Sequence, residues 1–186
     1  MSKDAYHHGN LKNELIERGL EYIDKYGVET LSLRKLAEES GVSCAAPYAH
    51  FENKETFLFA IQDYITERFM DVLTESSLNC EDRSRVLIEM GIGYVTFFYE
   101  NPLYYHFLFN GKYLDLESYS PYIFFEQSAR LTLGDGFDEE QMHYKIIALW
   151  SMIHGLAGLV TIKGIIDPDH IPEEVEKVMS AVDLNS

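Results

Sequence analysis

Apolar residues recur every three or four positions along most of this chain, which is the spacing of a helix with one buried face. One such face runs through residues 11–23, and a second, shorter one occupies residues 33–40. Asn53 is placed to cap a longer helix whose apolar face spans residues 57–72. Further helices are predicted over residues 83–100, 102–109, 118–133 and 138–163, with a last helix beginning near Pro172.

No run of alternating apolar and polar residues predicts a strand, so the chain is expected to be all-α with about nine helices.

Residues 30–57 contain a motif of two short predicted helices separated by a polar turn. Within residues 30–57, Ser32 is expected to cap a short helix that ends at Gly41, and Ser43 to cap a second helix over residues 44–50. Two short helices joined by a glycine-containing turn form a helix-turn-helix, whose second helix enters the major groove of DNA.

The side chains of this motif suit contacts with a duplex. Small residues at the start of the second helix would let it approach base edges, and the methyl groups of Ala45 and Ala46 could meet thymine methyls. Tyr48 and His50 can donate hydrogen bonds to phosphates, and Lys54 stands at the start of the next helix, where free backbone amides also favour phosphate. The residues themselves thus predict DNA contacts by Ser32, Arg34, Cys44, Ala45, Ala46, Tyr48, His50 and Lys54.

The net charge of the whole chain changes this picture less than its size suggests. The chain carries 15 basic and 31 acidic side chains, a formal charge of −16, whereas phosphate binding normally requires a basic surface. Residues 1–54 hold seven of the basic and nine of the acidic groups, so their balance is only −2. Residues 55–186 hold the remaining eight basic and 22 acidic groups, a balance of −14. The acidity therefore belongs mainly to the second part of the chain.

The stretch LRKLAEESGVSCAAPYAHFENKETF resembles the DNA-binding domain of TetR-type transcriptional regulators, and YHHGNLKNELI is similar to the first helix of that family. The resemblance covers about residues 6–65. Farther along, LWSMIHGLAGL contains Trp150, His154 and Gly155 in the pattern W-x-x-x-H-G. This pattern resembles the C-terminal domain of the TetR subgroup named for its Trp-His-Gly motif.

The resemblance implies an all-helical homodimer that binds a double-stranded operator and is released by a small-molecule effector, most often as a repressor. It implies a helix-turn-helix DNA-binding domain over residues 1–54 and a ligand-binding and dimerisation domain over residues 55–186. By matching positions, the resemblance assigns DNA contacts to Ser32, Arg34, Ser43, Ala45, Ala46, Tyr48, His50 and Lys54. Two positions depart from the subgroup pattern: Ala49 stands where a basic residue is common, and Pro47 removes a backbone donor from the predicted second helix.

Aromatic residues dominate the region between the helix-turn-helix and the C-terminus. Trp150 and His154 lie four residues apart on one predicted helix face, where they either line a ligand pocket or belong to the packed core. An aromatic or hydrophobic effector with a few polar groups would suit such a pocket. The further pocket candidates are Met90, Tyr94, Phe98, Phe107, Tyr122 and Phe125.

Several other classes of protein receive little support from the sequence. It contains no nucleophile elbow, P-loop, dinucleotide fingerprint or HExxH motif, so we expect no enzyme, no cofactor and no metal site. The longest weakly polar stretch, residues 146–162, is interrupted by Ser151 and His154, so no membrane span is expected. Two cysteines, Cys44 and Cys80, fit free thiols in the cytoplasm. The alternative class is an all-helical small-molecule-binding protein or enzyme without a DNA function.

Overall fold

The structure is a computed structural model that describes residues 8–110 and 118–181. Within these ranges every regular element is helical, which confirms the predicted all-α class. Four short 3₁₀ segments accompany the α-helices, at Val28–Thr30, Pro47–Ala49, Arg83–Arg85 and Pro168–His170. The eight α-helices are α1 (His8–Tyr26), α2 (Leu33–Glu39), α3 (Lys54–Leu78), α4 (Val86–Glu100), α5 (Pro102–Asn110), α6 (Ser120–Leu133), α7 (Glu139–Leu159) and α8 (Ile171–Ala181).

One predicted helix is not an α-helix, and proline explains the difference. Residues 44–46 form a turn, and the 3₁₀ segment Pro47–Ala49 follows. An α-helix here would need the backbone N–H of Pro47 to donate to the carbonyl of Ser43, but proline has no N–H. The Ser43 carbonyl instead accepts from the N–H of Ala46 at 2.9 Å, the shorter spacing of a 3₁₀ turn. The second element of the helix-turn-helix is therefore tighter and shorter than expected.

The described residues fall into two compact units. The first comprises residues 8–65 and 103–110, and the second comprises residues 66–102 and 118–181. Helix α3 contributes to both units, and α5 belongs to the first although it follows α4 in the chain. The division into domains at residues 54 and 55 stays a prediction.

The first unit is built around α1, α2 and the N-terminal half of α3. Leu15, Leu36 and Phe57 are fully buried at its centre, one from each of these helices. Gly19 lets α1 approach the ring of Phe57 closely, because a Cβ atom at this position would overlap that ring. Asn53 caps α3 as predicted, since its Oδ1 accepts from the Thr56 N–H at 3.0 Å.

The second unit is arranged around α4, which packs against α6, α7 and α8. Gly91 permits close approach of α4 to Met179 and Ile153 on the neighbouring helices. Arg85, just before α4, donates to Glu89 at 3.1 Å and to Glu176 of α8 at 2.5 Å. Helix α7 begins at a capping box formed by Asp138 and Gln141. These contacts hold the long helices around an aromatic core.

Candidate nucleic-acid interface and aromatic centre

The turn between α2 and the 3₁₀ segment is set by glycine geometry and a serine cap. The Ser32 Oγ accepts from the Lys35 N–H at 3.2 Å and begins α2, as the sequence predicts. Gly41 follows this helix with φ of +66°, a conformation that favours glycine. The N–H of Val42 then donates to the carbonyl of Ala37 at 3.1 Å and closes the helix end. The chain leaves α2 in a tight, hydrogen-bonded turn.

The segment after this turn presents its side chains to solvent. Ser43, Cys44 and Ala45 are exposed, and Ala46 is half-buried. Tyr48 is 56% exposed, which is a large fraction for an aromatic side chain. The predicted base-reading and phosphate-binding side chains of residues 43–48 are thus accessible to a duplex.

Two buried rings hold the exposed segment in place. Pro47, the first residue of the 3₁₀ segment, is buried, and Phe51 is 3% exposed. The rings of Phe51 and Phe57 meet edge to face with centroids 4.8 Å apart, which fixes the segment against the start of α3. His50, the residue before Phe51, is half-buried. The exposed side chains therefore stand on a fixed support.

The cations near the motif are more engaged than the sequence suggests. The Lys54 ammonium donates to the Val28 carbonyl at 2.6 Å, so it ties the start of α3 to the 3₁₀ segment before α2. Lys35, which sequence reasoning missed, donates to the neighbouring Thr30 carbonyl at 3.0 Å. Arg34 is exposed and forms an ion pair with Glu38 at 3.3 Å. Each ammonium has three N–H donors, so these contacts leave capacity for a phosphate.

In the second unit, Trp150 stands at the centre of the predicted pocket residues. Its ring makes edge-to-face contacts with Tyr94 at 5.3 Å and Tyr122 at 5.1 Å between centroids. It also meets Phe125 at 5.3 Å. Tyr94 in turn contacts Phe98 at 5.0 Å. These five predicted residues are brought together as a packed aromatic cluster, and Met90 is buried one helical turn before Tyr94 on α4.

The cluster contains one internal polar pair. The hydroxyl oxygen of Tyr94 and Nδ1 of His154 are 2.9 Å apart and form a hydrogen bond whose direction follows from the tautomer of the ring. Burial lowers the pKa of His154 because the protonated ring would lose hydration. Tyr94 itself is 1% exposed. The pair therefore combines a neutral imidazole with a phenol among apolar rings.

The eighth predicted pocket residue, Phe107, lies elsewhere. It is on α5 in the first unit, beside a small depression of about 220 Å³ that Leu20 and His106 also line. The other seven all belong to the second unit. A larger groove of about 590 Å³ opens beside Trp150 and Tyr122, and Ile123 and Ile147 also line it. This groove gives the aromatic cluster a solvent-accessible side.

Comparisons with known proteins address the first unit most directly. Residues 15–61 match the family model described as bacterial regulatory proteins, tetR family. The chain is 37% identical over 67 residues to the tetracycline repressor protein class G of Vibrio anguillarum, a match covering 36% of this chain. The chain spans about a third of the length of that curated relative, since the match covers 32% of it. The matched segment, which contains the helix-turn-helix, is therefore similar to the N-terminal domain of the tetR family.

Solved structures extend the likeness from this segment to the fold of nearly the whole chain. A protein of unknown function from Rhodococcus sp. RHA1 superposes with a TM-score of 0.73 at 22% identity, covering 97% of this chain and 99% of that one. A TetR-family transcription regulator from Marinobacter aquaeolei VT8 superposes with a TM-score of 0.71 at 17% identity, covering 96% and 98%. At these identities the likeness establishes a shared fold.

In residues 8–110 and 118–181, no group of three His, Cys, Asp or Glu side chains is placed to hold a metal ion. Over the same ranges, no helix combines the length and apolarity needed to cross a bilayer. Both cysteines are free, and Cys44 is exposed next to the turn of the TetR-family motif.

Proposed function

We propose that this protein is a TetR-family transcriptional regulator that binds a palindromic operator as a homodimer and acts as a repressor. The observation that carries the proposal is the exposed segment from Ser43 to Tyr48, held on buried Pro47 and Phe51 within the TetR-family match. Small side chains above a fixed apolar support suit close approach to base edges. Two such segments in a dimer would enter successive major grooves about 34 Å apart.

The proposed DNA contacts divide into two roles. Cys44, Ala45 and Ala46 face base edges, and Tyr48 and His50 donate to phosphates. The backbone beside the groove is met by Ser32, Arg34, Ser43 and Lys54. Because Lys54 also binds the Val28 carbonyl, its ammonium is already positioned before DNA arrives. This preorganisation lowers the entropic cost of a phosphate contact.

The proposed effector site is the aromatic cluster of the second unit, as in the Trp-His-Gly subgroup that the W-x-x-x-H-G pattern resembles. The effector is small and partly hydrophobic, because aromatic rings lie beside the hydrogen-bonded pair of Tyr94 and His154. The groove beside Trp150 and Tyr122 supports a route to this cluster. The residues proposed to contact the effector are Met90, Tyr94, Phe98, Tyr122, Phe125, Trp150 and His154, with Phe107 on the separate helix α5.

A duplex selection tests the DNA function. Purified full-length protein would be used to select duplexes from a random library, and the affinity of the selected sequence would be measured by fluorescence anisotropy. Tyr48→Phe should weaken binding to all sequences about equally if the hydroxyl meets a phosphate. Tyr26→Phe is the matched control, because this phenol is 45% exposed on α1 and is not a proposed DNA contact. Failure to enrich any duplex would contradict the proposal.

The effector site is tested through the one tryptophan of the sequence. Small aromatic and aliphatic compounds that change the fluorescence of Trp150 would be added to the protein bound to its selected duplex. Binding at the proposed site should weaken the complex, because an effector acts only through different affinities for the two states. Compounds that bind beside Trp150 and leave DNA affinity unchanged would contradict the coupling.

A further inference from the structure

A shared carboxylate joins three helices of the first unit. Oε1 of Glu17, on α1, accepts the hydroxyl of Tyr64 from α3 at 2.7 Å and the hydroxyl of Tyr104 from α5 at 2.6 Å. The donors lie 47 and 87 residues from the acceptor in the sequence. The rings of Tyr64 and Tyr104 also meet edge to face at 6.3 Å between centroids. Three helices distant in the chain are thus fixed around one oxygen atom.

The chemistry of this group favours strong and directional bonds. Hydrogen bonds from a hydroxyl to a carboxylate are short and about twice as strong as neutral ones. Tyr104 is 6% exposed, and its burial, followed by the nearby Glu17 carboxylate, raises the pKa of its phenol well above the ordinary value. The phenol therefore stays protonated and remains a donor. Neither bond is a loose surface contact.

The position of Glu17 connects this group to the DNA-facing segment. Helix α1 packs along α2, and α2 packs against the 3₁₀ segment Pro47–Ala49. Helix α5, which begins directly after Asn101, belongs to the first unit although the preceding helix α4 belongs to the second. A change in the position of α5 within this unit would therefore act first on Tyr104 and Glu17, and through α1 on the helix-turn-helix.

We propose that Glu17 is a positioning residue whose carboxylate holds α5 and α3 against α1, and that this arrangement sets the DNA-binding geometry of the helix-turn-helix. The inference rests on the proposed DNA function. It assigns to Glu17, Tyr64 and Tyr104 a positioning role in DNA binding, although none of them is a predicted DNA contact. Releasing α5 from Glu17 lowers operator affinity, because the helix-turn-helix then samples arrangements that do not fit the major groove of DNA.

The test compares four variants on the duplex selected above. Glu17→Ala and Tyr104→Phe should each raise the operator Kd about tenfold at a temperature where circular dichroism finds both fully folded. Glu17→Gln should stay within about threefold of the parent protein, because its amide oxygen still accepts both hydroxyls. Glu21→Ala is the control, since this carboxylate pairs only at the surface of α1 with Arg18. A lower melting temperature with unchanged Kd in Glu17→Ala would overturn the proposal.

Hydrogen exchange tests the positioning step without DNA. Amides of α5 should exchange faster in Tyr104→Phe and Glu17→Ala, whereas Tyr99→Phe, a change at an exposed phenol of α4, should leave them unaltered. Unchanged exchange of α5 in Glu17→Ala would overturn the positioning role, whatever the DNA results. If no duplex is selected by the parent protein, the proposed function fails, and exchange alone decides whether Glu17 holds α5.

Discussion

The two units differ in what accompanies the polar contacts that join their helices. In the first, polar side chains from distant parts of the chain meet at single atoms, as Lys54 does at the Val28 carbonyl and Tyr104 at Glu17. In the second, Arg85 joins Glu176 of α8 in the same way, and in addition three aromatic rings pack around Trp150. The strength of a hydrogen bond depends on the angle between its groups, whereas the stabilisation from apolar burial depends mainly on the area buried. Both units therefore join distant helices through polar contacts, and the second adds a large buried aromatic cluster.

The largest effect is expected where burial dominates. Trp150→Ala should lower the free energy of unfolding by about 3–5 kcal/mol, because it removes a nearly buried ring and leaves a cavity among Tyr94, Tyr122 and Phe125. Urea denaturation followed by circular dichroism would measure this loss. Tyr144→Ala, at a residue that is 62% exposed on the same helix, is the control and should change stability little. Equal losses in the two variants would remove the basis of the comparison.

A smaller loss of stability is expected when a polar contact of the first unit is removed. Lys54→Met keeps most of the side-chain stem and removes the ammonium that donates to the Val28 carbonyl at 2.6 Å. We expect a loss of about 1–2 kcal/mol in urea unfolding, because a part-buried carbonyl loses a charged donor. Lys12→Met, at an exposed position of α1, is the matched control. If the two variants lose the same stability, the contact of Lys54 with the Val28 carbonyl does not stabilise the first unit.

The cap of α3 offers the next test of how local signals order the first unit. Asn53→Ala should cost about 1 kcal/mol, because the Thr56 N–H loses its acceptor at the start of a 25-residue helix. Asn53→Asp keeps an acceptor and should restore most of the stability. Both values come from urea titrations at one pH near neutrality. A deficit in Asn53→Asp as large as that in Asn53→Ala would exclude capping as the cause.

These contacts differ in how far the sequence reveals them. Caps such as Ser32 and Asn53 act over three residues, so their signals are local and the helix starts were predicted correctly. The 3₁₀ form of residues 47–49 also has a local cause in Pro47, yet the cap signal of Ser43 predicts a helix over residues 44–50. The acceptor role of Glu17 had no local signal, because its donors are 47 and 87 residues away.

The same limit applies to the candidate effector residues. The sequence predicts the helices that carry Tyr94 and Trp150, but only the packing of α4 against α7 brings their rings together. Phe107 resembles the other aromatics in the sequence, yet α5 packs in the first unit. Sequence order indicates which helix a residue occupies, whereas the choice of neighbouring helix depends on packing over the whole unit.

The smallest effect concerns the polar pair within the aromatic unit. Burial lowers the pKa of His154 below that of an unfolded histidine, so the unfolded chain binds more protons in the range between the two values. Stability from this residue is therefore fully present above about pH 6.5, the unfolded value, and is lost as the pH falls below it. Urea titrations at pH 8 and pH 5.5 should find a smaller pH dependence in His154→Gln than in the parent protein. His170→Gln is the control with opposite sign, because the bond to Asp167 raises the pKa of His170. A pH dependence unchanged by His154→Gln would mean that the imidazole beside Tyr94 is not held neutral by its apolar surroundings.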